Sequence, residues 1–237
     1  MQSKPVDELE PLFKLIEMVS PNGLLSRQPG QLNVQPTRAA APKFNIKRNV
    51  PNMPSELLPT FKYHLDPLAT GSIVSSSNEC VVCGRERGYI YCGPVYAEED
   101  YDSCICPWCI ADGSAHDKLG VTFHDDASVP GGSFPDVSDV SPEVVSEVCQ
   151  RTPGFGGWQQ EQWFTCCDDA GVFLGQAGRK ELKSKWPEAI PKLRESTGLK
   201  GDAWQELLKA LDRDHGPTAY VFRCRHCQAF GAYQDTN

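Results

Sequence analysis

Cys80-Val-Val-Cys83 and Cys106-Pro-Trp-Cys109, separated by the 22 residues 84–105, decide how this chain is read. Each Cys-x-x-Cys closes a tight knuckle that aims two thiolates at one point, and two knuckles together complete a tetrahedral sulfur cage. The spacing predicts one zinc held by Cys80, Cys83, Cys106 and Cys109. Four thiolates fill the tetrahedron and leave no position for water or substrate, so this zinc is expected to be structural. Cys104-Ile-Cys106 offers a competing pair, but Cys106–Cys109 has the knuckle spacing, which leaves Cys104 as the spare. Cys106-Pro-Trp-Cys109 also has the form of a dithiol redox motif, in which a helix dipole lowers the first thiol's pKa. Such a motif requires no second pair, whereas one waits here at the right distance.

Working outward, a third pair lies near the C-terminus, Cys224-Arg-His-Cys227, after a strand signal over Thr218–Arg223 and before another over Phe230–Tyr233. It echoes Cys80–Cys83, which precedes Tyr89-Ile-Tyr91. A knuckle feeding a strand is the mark of zinc ribbons, so a second zinc is expected from Cys166, Cys167, Cys224 and Cys227. Vicinal side chains such as Cys166 and Cys167 often point apart, and the site forms only if the last strands pack beside Trp163. His226, inside the knuckle, is a poor ligand candidate, and His215 is the reserve.

Composition sets the limits around these motifs. The chain has 237 residues, 40% apolar, with five Trp, eleven Cys and a net charge of −8. That suits one sizeable core or two small domains. No run approaches the roughly 18 apolar residues of a membrane span, and the N-terminus shows no signal-peptide pattern. The expectation is a cytoplasmic protein, where clustered cysteines are metal ligands or redox groups rather than disulfides. The acidic balance argues against nucleic acid held by phosphate contacts. It suits solubility, or a basic partner.

The remaining segments predict an α+β protein: small zinc-ribbon-like β elements with several helices, behind an N-terminal helical and extended extension. Residues 5–19 carry an apolar stripe from Leu9 to Val19 behind a first-turn Pro5, an amphipathic helix. Residues 24–60 are proline-rich and read as an arm or linker. The expected organisation is therefore residues 1–59 as helix and arm, and 60–237 as the zinc-binding domain. Phe61–Val74 reads as an extended lead-in strand whose His64 is structural. Ile110–Leu119 reads as one short helix, 124–141 as a loop, and Ser141-Pro142-Glu143 as a capped helix start that makes Cys149 a core residue. Pro187 and Pro191 are expected to break a polar helical stretch, Gly201-Asp202 to cap a last helix through Leu211, and Asp168-Asp169 to form an exposed turn. No His-Glu-x-x-His, Gly-x-Ser-x-Gly or phosphate-binding glycine loop appears, and Gly154-Phe-Gly-Gly157 is an isolated glycine cluster.

Several of these stretches resemble the CbrC family of bacterial proteins, associated with tolerance to a nuclease colicin. They are Phe61-Lys-Tyr-His-Leu-Asp-Pro-Leu-Ala-Thr-Gly71, Gly88-Tyr-Ile-Tyr91, Gly93-Pro-Val-Tyr-Ala97, Cys106-Pro-Trp-Cys-Ile-Ala-Asp-Gly113, Arg151-Thr-Pro-Gly-Phe155, Trp158-Gln-Gln-Glu161 and Cys224-Arg-His-Cys227. The resemblance covers about residues 60–237, and three Cys-x-x-Cys pairs are a family mark. This chain departs from the family at Cys166-Cys167 and Gly171, where members often carry a His-Cys step and a further Cys.

The resemblance implies protection from a toxin without naming a reaction. The expected function is a zinc-binding, non-enzymatic protein that engages a partner such as a bacterial toxin domain, with the acidic Glu98–Asp102 stretch displayed by the first site. The alternative is an enzyme or redox factor acting through exposed thiols or an open zinc position.

Overall fold

Arg87, stacked on the Trp108 ring at 4.0 Å, pairs with Glu56. This computed structural model describes residues 56–130 and 140–236. The expected helix over 5–19 and most of the arm lie outside the described residues, as does much of the 124–141 loop.

The lead-in segment is a strand only at its end. His64 makes one parallel bridge to Phe173, and Phe173 N–H donates to the Tyr63 carbonyl at 2.8 Å. The chain then turns through Asp66–Gly71, where Asp66 Oδ1 accepts the Ala69 N–H and Gly71 takes a φ of 82° that favours glycine. Regular pairing begins at β1 (Ile73–Ser75), antiparallel to β2 (Tyr89–Tyr91). His64 is wholly buried, its ring nitrogens 2.7 Å from the Pro153 carbonyl and from Thr70 Oγ1, a structural histidine as expected.

The expected helix over Ile110–Leu119 is two. α1 (Pro107–Ala111) and α2 (Ser114–Leu119) are separated at Gly113, whose φ of 83° breaks the helical path. α3 (Pro142–Arg151) follows the proline signal as expected, and Val148 and Cys149 are buried. A small hairpin, β3 (Thr165–Cys166) with β4 (Asp169–Ala170), leads into β5 (Val172–Ala177). Three helices follow: α4 (Arg179–Lys185), α5 (Ala189–Thr197) and α6 (Gly201–Ala210). Pro191 does not break its stretch. It sits in the first turn of α5, where a backbone N–H has no intrahelical partner to lose. Gly201 and Asp202 are the first residues of α6 rather than its cap, which is Lys200. β6 (Thr218–Arg223) and β7 (Phe230–Asp235) complete an antiparallel sheet of order β5-β6-β7.

The fold is thus α+β, with six α-helices and seven strands among the described residues. Strand alternation divides the sheet's two faces. From β6, Ala219 and Val221 join Leu182, Leu193, Trp204 and Leu211 beneath the helices. Tyr220 and Phe222 join an aromatic core with Tyr63, Phe155, Trp163 and Phe173, in which Phe155 and Phe173 stack at 3.9 Å. The third core belongs to β1, β2, α1 and α2: Ile73, Ile90, Ile105, Ile110 and Phe123 close around Cys80, Cys106 and Cys109. Gly154 lies where this core and the aromatic one meet. A Cβ there would stand 2.0 Å from the Phe123 carbonyl oxygen, so Gly154 serves close backbone approach.

Candidate metal centres

The eight cysteines singled out by spacing come together as two groups of four, and within each group the Sγ atoms all lie within 4.8 Å of one another. In the first, Cys80 Sγ is 3.9 Å from Cys109 Sγ, and Cys83 Sγ is 3.9 Å from Cys106 Sγ. Both knuckles are fixed by backbone hydrogen bonds. Gly84 N–H donates to the Cys80 carbonyl at 2.7 Å with a φ of 64°, and Cys109 N–H donates to the Cys106 carbonyl at 3.1 Å. Pro107 then opens α1, which carries Cys109 back toward the cage. Cys104 lies outside the group, its thiol donating to the Tyr101 carbonyl.

Electrostatics show what four thiolates in this group would need. The Cys106 thiol and the N–H groups of Cys106, Cys83 and Val82 hold the Cys80 thiol well below its ordinary range. With that charge taken up at Cys80, the Cys106 thiol is driven up by its neighbour and by burial. Burial likewise raises Cys109. Four thiolates this close require a cation, and a bound metal ion would supply it.

The second group depends on a turn that the sequence does not advertise. Cys167 and Asp168, between β3 and β4, both have positive φ, 56° and 55°. Two left-handed residues in a two-residue loop make a type I′ hairpin turn. Glycine or asparagine usually fills such positions, and neither is present. That geometry keeps the vicinal thiols from pointing apart: Cys166 Sγ lies 3.7 Å from Cys167 Sγ and 3.5 Å from Cys227 Sγ. Cys224 and Cys227 come from the β6–β7 turn, where the His226 N–H donates to Cys224 Sγ at 3.4 Å. Burial raises the Cys224 thiol. N–H donation from Cys227 and His226, with the neighbouring thiols, outweighs it and brings the group to about 6.

Asp169, expected in an exposed turn, is instead 7% exposed and the hub of a polar network. It accepts from the buried Tyr63 hydroxyl, from Arg225 Nη1 at 2.8 Å and from His226 Nε2 at 2.9 Å, with Lys62 Nζ at 3.8 Å. Burial alone would raise this carboxyl, but these donors hold it below its ordinary range. His226 is thereby bound to a carboxylate. His215 is exposed beside Asp212 at 3.1 Å, outside both groups. The spacing of the cysteines could not reveal this network, because Tyr63 and Asp169 are 106 residues apart. A second buried group is unclaimed: both ring nitrogens of His124 lack a hydrogen-bond partner among the described residues, where it packs against Trp163 and Phe155.

Residues 58–236, which hold both cysteine groups, match the Uncharacterised protein family UPF0167. The chain belongs to this family. It is 46% identical over 183 residues to a UPF0167 protein of Mycobacterium tuberculosis (strain CDC 1551 / Oshkosh), covering 75% of this chain and 93% of the relative. A UPF0167 protein of Mycobacterium bovis matches to the same extent. A third, of Pseudomonas aeruginosa, is 40% identical over 171 residues, 72% of this chain and 92% of the relative. No solved structure matches. The family description assigns no activity. Among the described residues, no helix is long and apolar enough to cross a membrane.

Proposed function

We propose that this is a zinc-binding, non-enzymatic protein of the cytoplasm whose two tetrathiolate sites fix the surfaces it offers to a protein partner. The observation that carries the zinc reading is the sulfur spacing. Thiolates at about 2.3 Å from a tetrahedral zinc stand about 3.8 Å apart. Neighbouring Sγ pairs here lie at 3.9 Å in the first group and at 3.5 and 3.7 Å in the second, and all four sulfurs of each group lie within 4.8 Å of one another. Four sulfurs saturate each ion, so the metal organises rather than catalyses. Elemental analysis of the purified chain should give two zinc per polypeptide, with few thiols reactive until a chelator is added. One zinc or none in the folded protein overturns this reading.

The partner we infer is a basic protein such as a bacterial toxin domain, and the chain's role is protection of the bacterium by engaging it. Two features support this. The stretch Glu98–Asp102 is acidic, lies mostly in solvent, and is carried by the loop between the two knuckles of the first site. The chain as a whole bears a net charge of −8, which would speed association with a cationic surface. The resemblance to CbrC proteins points the same way. Titration against a basic nuclease domain at low salt tests it: no association there overturns the partner assignment and leaves the zinc assignment standing.

A further inference from the structure

We propose that the groove between residues 60–65, the start of β5 and the Arg223–Arg225 end of β6 binds a small molecule bearing a phosphate group. The groove has a volume of about 540 Å³, within the range of about 300–1,000 Å³ usual for small-molecule sites. Lys62, Arg223 and Arg225 all line it, with Gln228 as a further polar group. In an acidic protein this convergence of cations stands out, and only Glu147 among the lining residues opposes it.

The cations are held rather than left to sway. Lys62 and Arg225 both reach the buried Asp169 carboxylate, and both lie against the Tyr63 ring, at 4.6 and 5.6 Å from its centre. Their side chains remain 38% and 35% exposed, so the tether leaves charge facing the groove. Arg223 makes no ion pair among the described residues. Counted without the neighbouring sulfur cage, three cations against the carboxylates of Asp169 and Glu147 leave one positive charge in excess. A guanidinium presents paired N–H donors matched to a phosphate's oxygens, which a partnerless Arg223 can offer in full. The exposed Leu65, beside Phe61 and Val172, gives an apolar wall for the organic part of such a ligand.

Cys224 also lines the groove, so the same cations could instead offset the negative charge of a metal-loaded tetrathiolate. One experiment separates the two roles. The full zinc-loaded chain is titrated calorimetrically with phenylphosphonate and with inorganic phosphate, and zinc content is measured for each variant. The expected result is saturable one-to-one binding, tighter for phenylphosphonate. Arg223→Gln and Lys62→Gln should each weaken it about tenfold, the loss of one charge-assisted contact. Glu147→Gln, which removes a repelling carboxylate and no packing, should tighten it about threefold. No saturable binding at millimolar ligand overturns the proposal. So does an Arg223→Gln chain that binds as tightly as wild type, or one that loses zinc while its anion affinity is unchanged.

Discussion

The two cysteine groups offer the same four sulfurs in unlike surroundings. In the first, Cys80, Cys106 and Cys109 are buried and Cys83 half-buried, and those three are themselves members of a hydrophobic cluster. In the second only Cys224 is buried, while Cys167 and Cys227 are exposed. β1 and β2 are three residues each, and α1 and α2 only five and six. Elements that short do not hold together alone, so a metal held by these thiols would serve as part of that region's core. The second group sits at the tips of two hairpins, over a sheet already buried between an aromatic core and three helices. There the metal would fasten a surface that is folded without it.

The largest test of this contrast exchanges one thiol in each group. Cys106→Ser should abolish cooperative unfolding and yield insoluble chain, because structural zinc contributes on the order of 10–16 kcal/mol to such small modules. Cys227→Ser should remain folded, with one zinc fewer and a modestly lower midpoint in circular dichroism melts. If both variants fold equally well, the two sites are equivalent and the contrast fails.

Acid comes next. Burial holds His64 at about 4 and His124 at about 3 in the folded chain, against about 6.5 when unfolded. A depressed histidine means that the unfolded chain binds more protons below 6.5. Stability is therefore full above that pH and falls as pH drops from 6.5 toward 4, by up to about 1.4 kcal/mol per pH unit for each histidine. His124→Phe should flatten part of that slope in denaturant titrations at saturating zinc. A slope unchanged by the substitution would exclude His124 as a source of the acid sensitivity.

Asp169→Asn probes the support of the second group alone. It keeps the shape but removes the charge that Arg225 and His226 donate to, a loss of about 1.5–3 kcal/mol. The expected outcome is a lowered melting midpoint and faster loss of one zinc, with the other zinc untouched. The smallest effect is kinetic. With a colorimetric chelator, zinc release from the wild-type chain should be biphasic, the first equivalent leaving at least about tenfold faster, a difference of about 1.4 kcal/mol in barrier. Cys227→Ser should erase the fast phase. A single phase in the wild type would show that exposure does not govern release.

Much of this was legible in the residues. Knuckle spacing named the four cysteines of the first group and set Cys104 aside, because ligand geometry at two residues' separation is a local property. β6 and β7 followed from their aromatic and β-branched runs, α3 from its proline start, and Cys149 from its place on that helix's apolar side. The errors were also local in origin. Pro191 reads as a breaker until its position within a helix is known, and the split at Gly113 depends on a single left-handed residue. Asp169 reads as a turn residue because nothing near it in sequence predicts that Tyr63, Arg225 and His226 converge there.

The amino-acid sequence by itself determined which sulfurs could act in pairs, which segments alternate or repeat as strands and helices, and the acidic balance of the surface. Those follow from periods and spacings of a few residues. Only the tertiary structure decided that Cys166 and Cys167 face one point, that the two cysteine groups differ in burial, and that a carboxylate beside the second anchors a cationic groove. Each of these rests on chain segments tens of residues apart meeting through packing, and on a left-handed turn stabilised by its surroundings rather than by its own residues.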